Sequence, residues 1–175
     1  MRTIVDLSDV FERRRQFATY WMNKANDLHR SAAALWASMD ANASPALTRG
    51  GCIEPVFRML CGMSLELLYK ALIVQSGGKP PSTHELIHLA NLAKIKPSKQ
   101  EEALLKILTE YIKWEGRYPV PQERKSWAAL DDLVRKHLFR EVYRRGSFAI
   151  IRDNDALSWD GYEELWQRAY SKYRW

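Results

Sequence analysis

The sequence predicts an all-α protein, an up-and-down bundle of about five to six helices. Three observations carry that prediction. Apolar residues recur at helical spacings over long stretches, capping and stop signals divide those stretches, and no βαβ unit or phosphate-cradling glycine loop intervenes. A chain of 175 residues, 46% of them apolar, is sized for one domain with a substantial core. The expected organisation is a single helical domain over residues 1–175, with a C-terminal extension from about residue 146.

Ser8 is placed to cap a first helix that carries Val10, Phe17, Trp21, Ala25, Leu28, Ala32, Leu35 and Met39 on one stripe. That stripe lasts about thirty residues, or about 45 Å of helix. Pro45 and the Gly50, Gly51 pair then break the periodicity, so residues 40–52 read as a loop. Pro55 suits the first turn of a second helix. Met63, Leu65, Leu67, Leu68, Ala71, Leu72 and Val74 spread over about two thirds of its circumference, so it must be buried on several sides. The remaining third carries Arg58, Gly62, Glu66, Tyr69 and Lys70, a polar stripe on the central helix.

Gly77 and Gly78 end that helix, and Pro80 and Pro81 cannot continue it. Ser82 with Glu85 has the spacing of a capping box for a short helix stopped by Pro97, with Thr83 the other candidate cap. Ser98 with Glu101 repeats the signature ahead of a helix that runs to Gly116. Pro119 and Pro121 then impose extended backbone. The segment WAALDDLVRKHLFREVYRR reads as a fifth helix, with Leu130, Leu133, Val134, His137, Leu138 and Val142 on one face. Residues 147–151 fit loop or strand. Asp160 with Glu163 is the candidate cap of a last helix bearing Tyr162, Leu165, Trp166 and Tyr170.

The apolar runs are too short to span a bilayer, and the N-terminus lacks the apolar segment of a secretory signal. A cytoplasmic protein without a membrane partner is expected. Cys52 and Cys61 offer neither a disulfide framework nor a CxxC metal pattern. The net charge of +6 and pI of about 9.4 permit a polyanionic partner without requiring one. Arg13, Arg14 and Arg15 form one basic run, and Arg135, Lys136, Arg140, Arg144 and Arg145 a second at helical spacing; both read as solvated helix faces. No aromatic pattern like that of a single-strand stacking platform interleaves with them.

Three groups of residues could carry chemistry. His84-Glu85-Leu86-Ile87-His88 matches the HExxH pattern, in which histidines one helical turn apart bind zinc and the glutamate activates water; Glu110 is the nearest third ligand. A zinc metallohydrolase is therefore one reading, against a simpler one in which no cofactor is bound. Glu66 and Lys70, at i and i+4 on the central helix, form an ion pair whose burial calls for partners such as His84, Glu115 or Arg117. In YIKWEGRYPVP, Arg117 is suited to fork a phosphate or carboxylate, while Trp114 and Tyr118 are suited to stack on a base.

The long first helix, the pattern GMSLELLYKALIVQSGGKPPSTHELIHLA and the segment WEGRYPVP resemble the HEPN family, the higher-eukaryote and prokaryote nucleotide-binding domains. Glu66, Lys70, His84, Glu85 and Leu86 stand at the positions where the family places a glutamate and lysine four apart, a glycine turn and a His-acid-Leu triplet. The resemblance, best over residues 12–121, implies a helical bundle that commonly dimerises. It also implies RNA or nucleotide binding, and roles in toxin–antitoxin pairs or phage defence beside a cognate antitoxin or nucleotidyltransferase-type partner. Ribonuclease members carry an arginine and then, after four to six residues, a histidine. None of His29, His84, His88 and His137 has an arginine at that distance; Lys24 and Lys79 stand there before His29 and His84, and lysine lacks the rigid fork. The expected ligand site is Arg58, Glu66, Lys70, His84, Trp114, Arg117 and Tyr118, in a protein that binds rather than cleaves; were it an enzyme, it would be a divergent ribonuclease. A non-catalytic partner-binding module is the remaining reading.

Overall fold

A computed structural model describes residues 7–39 and 53–175. The loop expected over residues 40–52, with Cys52, lies outside the described residues. Those described form α1 (Leu7–Gln16), α2 (Ala18–Ser38), α3 (Glu54–Gln75), α4 (Leu86–Leu92), α5 (Lys99–Glu110) continued by a π-turn (Tyr111–Glu115), α6 (Arg124–His137), a hairpin of β1 (Phe139–Arg145) and β2 (Phe148–Asp153), and α7 (Trp159–Tyr170). The fold is mostly helical, as the periodicity predicts.

The central helix α3 is buried along almost its whole length, with Phe57, Leu65, Leu68 and Tyr69 essentially inaccessible. Burying each such side chain contributes roughly 1.5–3 kcal/mol. α2 lies along α3, presenting Met22, Ala25 and Ala32 to it. Gly62 lets the π-turn approach closely: a Cβ there would stand 2.9 Å from Ile112 Cγ1 and 3.0 Å from the Leu108 carbonyl oxygen. α3 ends in a Schellman motif, with Gly77 at φ +87°, its N–H donating to Val74 O, and Gly78 N–H donating to Ile73 O.

The single first helix is in fact two. Phe17 leaves helical geometry at φ −98°, ψ 118°, and Trp21 Nε1 donates to the Arg15 carbonyl at 3.1 Å, satisfying one end group of α1. The three arginines sit in the last turn of α1, where the helix dipole favours cations. Ser8 falls inside α1 rather than ahead of it. At α4 the Ser82–Glu85 capping box does not form; Thr83 Oγ1 accepts from Glu85 N–H, and Thr109 Oγ1 accepts from the otherwise orphaned Leu86 N–H. The Ser98–Glu101 box forms in both directions. α7 is capped by Ser158, and Asp160 lies within its first turn.

The fifth helix stops at His137. Residues 139–145, expected to prolong it, form β1 instead, paired antiparallel with β2 through Gly146-Ser147. Phe139, Val142 and Tyr143 are strand formers, and Gly146 takes the φ of +62° that the first position of a tight hairpin turn demands. Arg140, Arg144 and Arg145 are consequently not on a helix face. The register shifts between Glu141 and Tyr143, which makes Val142 a bulge.

α7 is fastened to α2 and α3 by a proton-ordered chain. Ser64 Oγ donates to Cys61 O (2.7 Å), so Tyr162, 2.7 Å away, donates to Ser64. The Tyr162 oxygen then accepts from His29 Nδ1 at 2.8 Å, and the imidazole stacks on Trp166 at 4.3 Å.

Candidate functional site

Burial decides how the polar stripe of α3 is used. Glu66 and Lys70 have side chains only 8% exposed, so each requires a partner. Glu66 Oε1 accepts from Lys70 Nζ at 2.7 Å, and Oε2 accepts from His84 Nδ1 at 2.9 Å. The Gly77–Pro81 turn returns the chain so that His84, ahead of α4, reaches back to α3. Its side chain is 56% exposed. A buried carboxylate thus fixes the imidazole with Nδ1–H inward, leaving the Nε2 lone pair as the free functional group. Chemically the ring can accept a proton or, once protonated, donate to an anion.

Next to it, Glu85 is ion-paired to Lys113 of the π-turn, and Lys113 Nζ also stands 3.6 Å from Glu110 Oε1. Partial burial disfavours the Lys113 ammonium, but the two carboxylates outweigh it and hold the pKa above the ordinary value. Glu115, partly buried, has its carboxyl pushed upward by desolvation. These pairs lead from His84 to a cleft of about 690 Å³, lined by Glu110, Lys113, Trp114, Tyr118, Pro121 and Gln122, among others. The volume lies within the range of small-molecule sites. Trp114 forms its floor: it is nearly buried, donates Nε1 to Glu110 Oε2 at 2.9 Å and stacks on Trp127 at 6.0 Å. Tyr118 is 56% exposed at the rim. Arg117 donates to the Lys113 carbonyl, capping the π-turn, and its guanidinium lies 5.3 Å from the Tyr118 ring centre.

The sequence-predicted residues therefore fall into three groups. Glu66, Lys70 and His84 converge in direct hydrogen bonds. Trp114, Arg117 and Tyr118 share the cleft segment, linked to His84 through Glu85 and Lys113. Arg58 is held apart, two helical turns from Glu66; it donates to Tyr111 Oη at 3.0 Å, pairs with Glu54 and lies over the Tyr111 ring. Tyr111 and Lys113 were missed as functional residues because a π-turn carries no sequence signature, although both lie in the segment singled out. His84 and His88 are not one helical turn apart, since His84 precedes α4. Among the described residues, no group of three or more His, Cys, Asp or Glu side chains is disposed to hold a metal, and no helix is long and apolar enough to cross a membrane.

A helical bundle whose central helix buries a Glu–Lys pair, and shares that carboxylate with a histidine across a glycine turn, is the arrangement expected from the motifs at Glu66, Lys70 and His84. Residues 58–141 match the family described as HEPN domain, which supports membership of the HEPN family. The matched stretch begins at Arg58 in α3 and ends in β1, so the Glu66–Lys70–His84 group and the cleft lie inside it, while α2 and α7 lie outside. None of the curated proteins and none of the solved structures matches the chain.

Proposed function

We propose that the chain binds RNA or a nucleotide at the surface formed by His84, Lys113 and the Trp114–Tyr118 cleft. The observation that carries this reading is the half-exposed imidazole of His84, oriented by a buried carboxylate beside an aromatic-lined cleft. His84 and Lys113 meet phosphate oxygens, Tyr118 stacks on a base, and Arg117 adds charge at the rim. Glu66 and Lys70 position His84, and Arg58 positions the π-turn through Tyr111. The HEPN-domain match over residues 58–141 supports an RNA- or nucleotide-related role. Homodimerisation, and a toxin–antitoxin or phage-defence setting with a cognate antitoxin or nucleotidyltransferase-type partner, belong to the same reading on the strength of the resemblance. The missing arginine before each histidine favours binding over cleavage.

The test is calorimetric titration with the four 5′-ribonucleoside monophosphates at low salt. His84→Ala and Tyr118→Ala are each expected to weaken binding about tenfold, the scale of one charge-assisted hydrogen bond or one stacked base. A wild-type chain that binds none of the four, or variants that bind as wild type does, would overturn the proposal.

A further inference from the structure

The hairpin sorts its side chains in a way the linear sequence conceals. β2 is regular, so Phe148, Ile150 and Arg152 share one face, and their register partners Arg145, Tyr143 and Arg140 share it with them. The Val142 bulge is what brings Tyr143 to the side of Arg140. All six residues are exposed, Phe148 at 62% and Tyr143 at 49%. The face therefore presents three arginines, two aromatic rings and an isoleucine, with no carboxylate. Glu141 and Arg144 lie on the opposite face, where they pair with each other. No ion pair engages Arg140, Arg145 or Arg152 among the described residues.

Left unliganded, this arrangement is costly. Arg140 and Arg152 are directly opposite, a cross-strand pair of like charges that destabilises a sheet. A two-stranded hairpin is marginally stable by itself, and exposed aromatics add nothing to it in water. A polyanion relieves the repulsion, and one with accessible planar bases also covers the rings. Single-stranded nucleic acid has both properties, whereas a duplex hides its base faces. The face spans about five residues, roughly 17 Å, on the scale of the smallest single-strand sites of about four nucleotides.

We propose that the Arg140–Tyr143–Arg145–Phe148–Arg152 face of the hairpin binds single-stranded nucleic acid, with arginines on phosphates and Tyr143 and Phe148 stacked on bases. This surface is separate from the His84 cleft and does not depend on it.

The test is fluorescence anisotropy of the full chain with a labelled oligo-uridine about twelve nucleotides long, against an RNA duplex of equal length, over a salt series. The expected result is preference for the single strand. The triple variant R140Q/R145Q/R152Q lowers the slope of log K against log salt by about 2, near 0.7 per lost phosphate contact. Y143A and F148A each weaken binding about tenfold at an unchanged slope. Y143F and F148Y, which keep the rings, retain binding and show that a loss in the alanine variants is not unfolding of the hairpin. Equal affinity for duplex, alanine variants that bind normally, or binding to phosphatidylserine vesicles without binding to oligo-uridine each overturns the inference. The hairpin variants leave mononucleotide binding at the His84 cleft intact, so either proposal can fail while the other stands.

Discussion

Replacing Glu66 by glutamine changes one atom in a site where both carboxylate oxygens are used, and the consequence can be worked from the geometry. The amide would offer one carbonyl acceptor and one NH₂ donor where the carboxylate accepts from Lys70 at 2.7 Å and from His84 at 2.9 Å. His84 can adapt, because a neutral imidazole can present Nδ1 as an acceptor. Lys70 cannot, and its buried ammonium keeps a neutral acceptor in place of its counter-charge. Removing one partner of a buried pair costs about 3–5 kcal/mol, and the surviving carbonyl argues for the lower end, about 3 kcal/mol. With a urea m value of about 2 kcal/mol/M, the unfolding midpoint falls by about 1.5 M. Replacing both members, as in Glu66→Leu with Lys70→Met, removes the unpaired charge and returns stability to within about 1 kcal/mol of the starting protein. Equilibrium urea unfolding followed by circular dichroism measures all three. A Glu66→Gln cost under about 1 kcal/mol, or a double variant as unstable as the sum of the single ones, would refute the argument that burial makes this pair obligatory.

Two further outcomes follow from local features. Burial holds the His29 pKa below its ordinary 6.5, against the opposing pull of Glu163; the folded state prefers the neutral ring, so its contribution is intact above 6.5 and is lost as pH falls through that value. His29→Gln should therefore flatten the decline in stability between about pH 7 and 5.5 in thermal melts, and an unchanged pH profile would contradict it. Lys94 takes φ +58° at the end of α4, where Lys94 N–H donates to Asn91 O and Ile95 N–H donates to Ala90 O in a second Schellman turn. Lys94→Gly relieves the left-handed strain and should stabilise the protein by about 0.5–1 kcal/mol in the same urea assay; a loss of stability would show the strain to be absent.

The parts of this molecule governed by near neighbours were legible in the sequence. The Ser98–Glu101 box, the Gly77 stop and the apolar girth of α3 each depend on residues within a turn or two, and each is as expected. The pairing of Glu66 with Lys70 was legible for the same reason. The extension to His84 followed from one short glycine turn and the need of a buried carboxylate for partners. Where alternatives of similar local merit competed, the reading erred. Val142 fits a helical stripe as well as a strand, and Asp160 is as good a cap as Ser158 until packing chooses. Contacts between distant segments left no trace at all. His29 and Tyr162 are 133 residues apart, and nothing near either one announces the other. Arg58 likewise looked like part of the Glu66 stripe, yet Tyr111 and Glu54 hold it elsewhere.

The bulge at Val142 amounts to a parity operation. Ahead of it the odd-numbered residues of β1 look one way, and beyond it they look the other. Composition and net charge are unchanged, but the arginine face thereby gains the ring of Tyr143 in place of the smaller Val142. Were Val142 paired in an unbroken ladder, Tyr143 and Arg145 would join Glu141, and Val142 and Arg144 would take their places beside Arg140. The make-up of each face is thus set by which residue is left out of the pairing rather than by which residues are present, and deleting Val142 would keep the same partners and the same faces in a regular ladder.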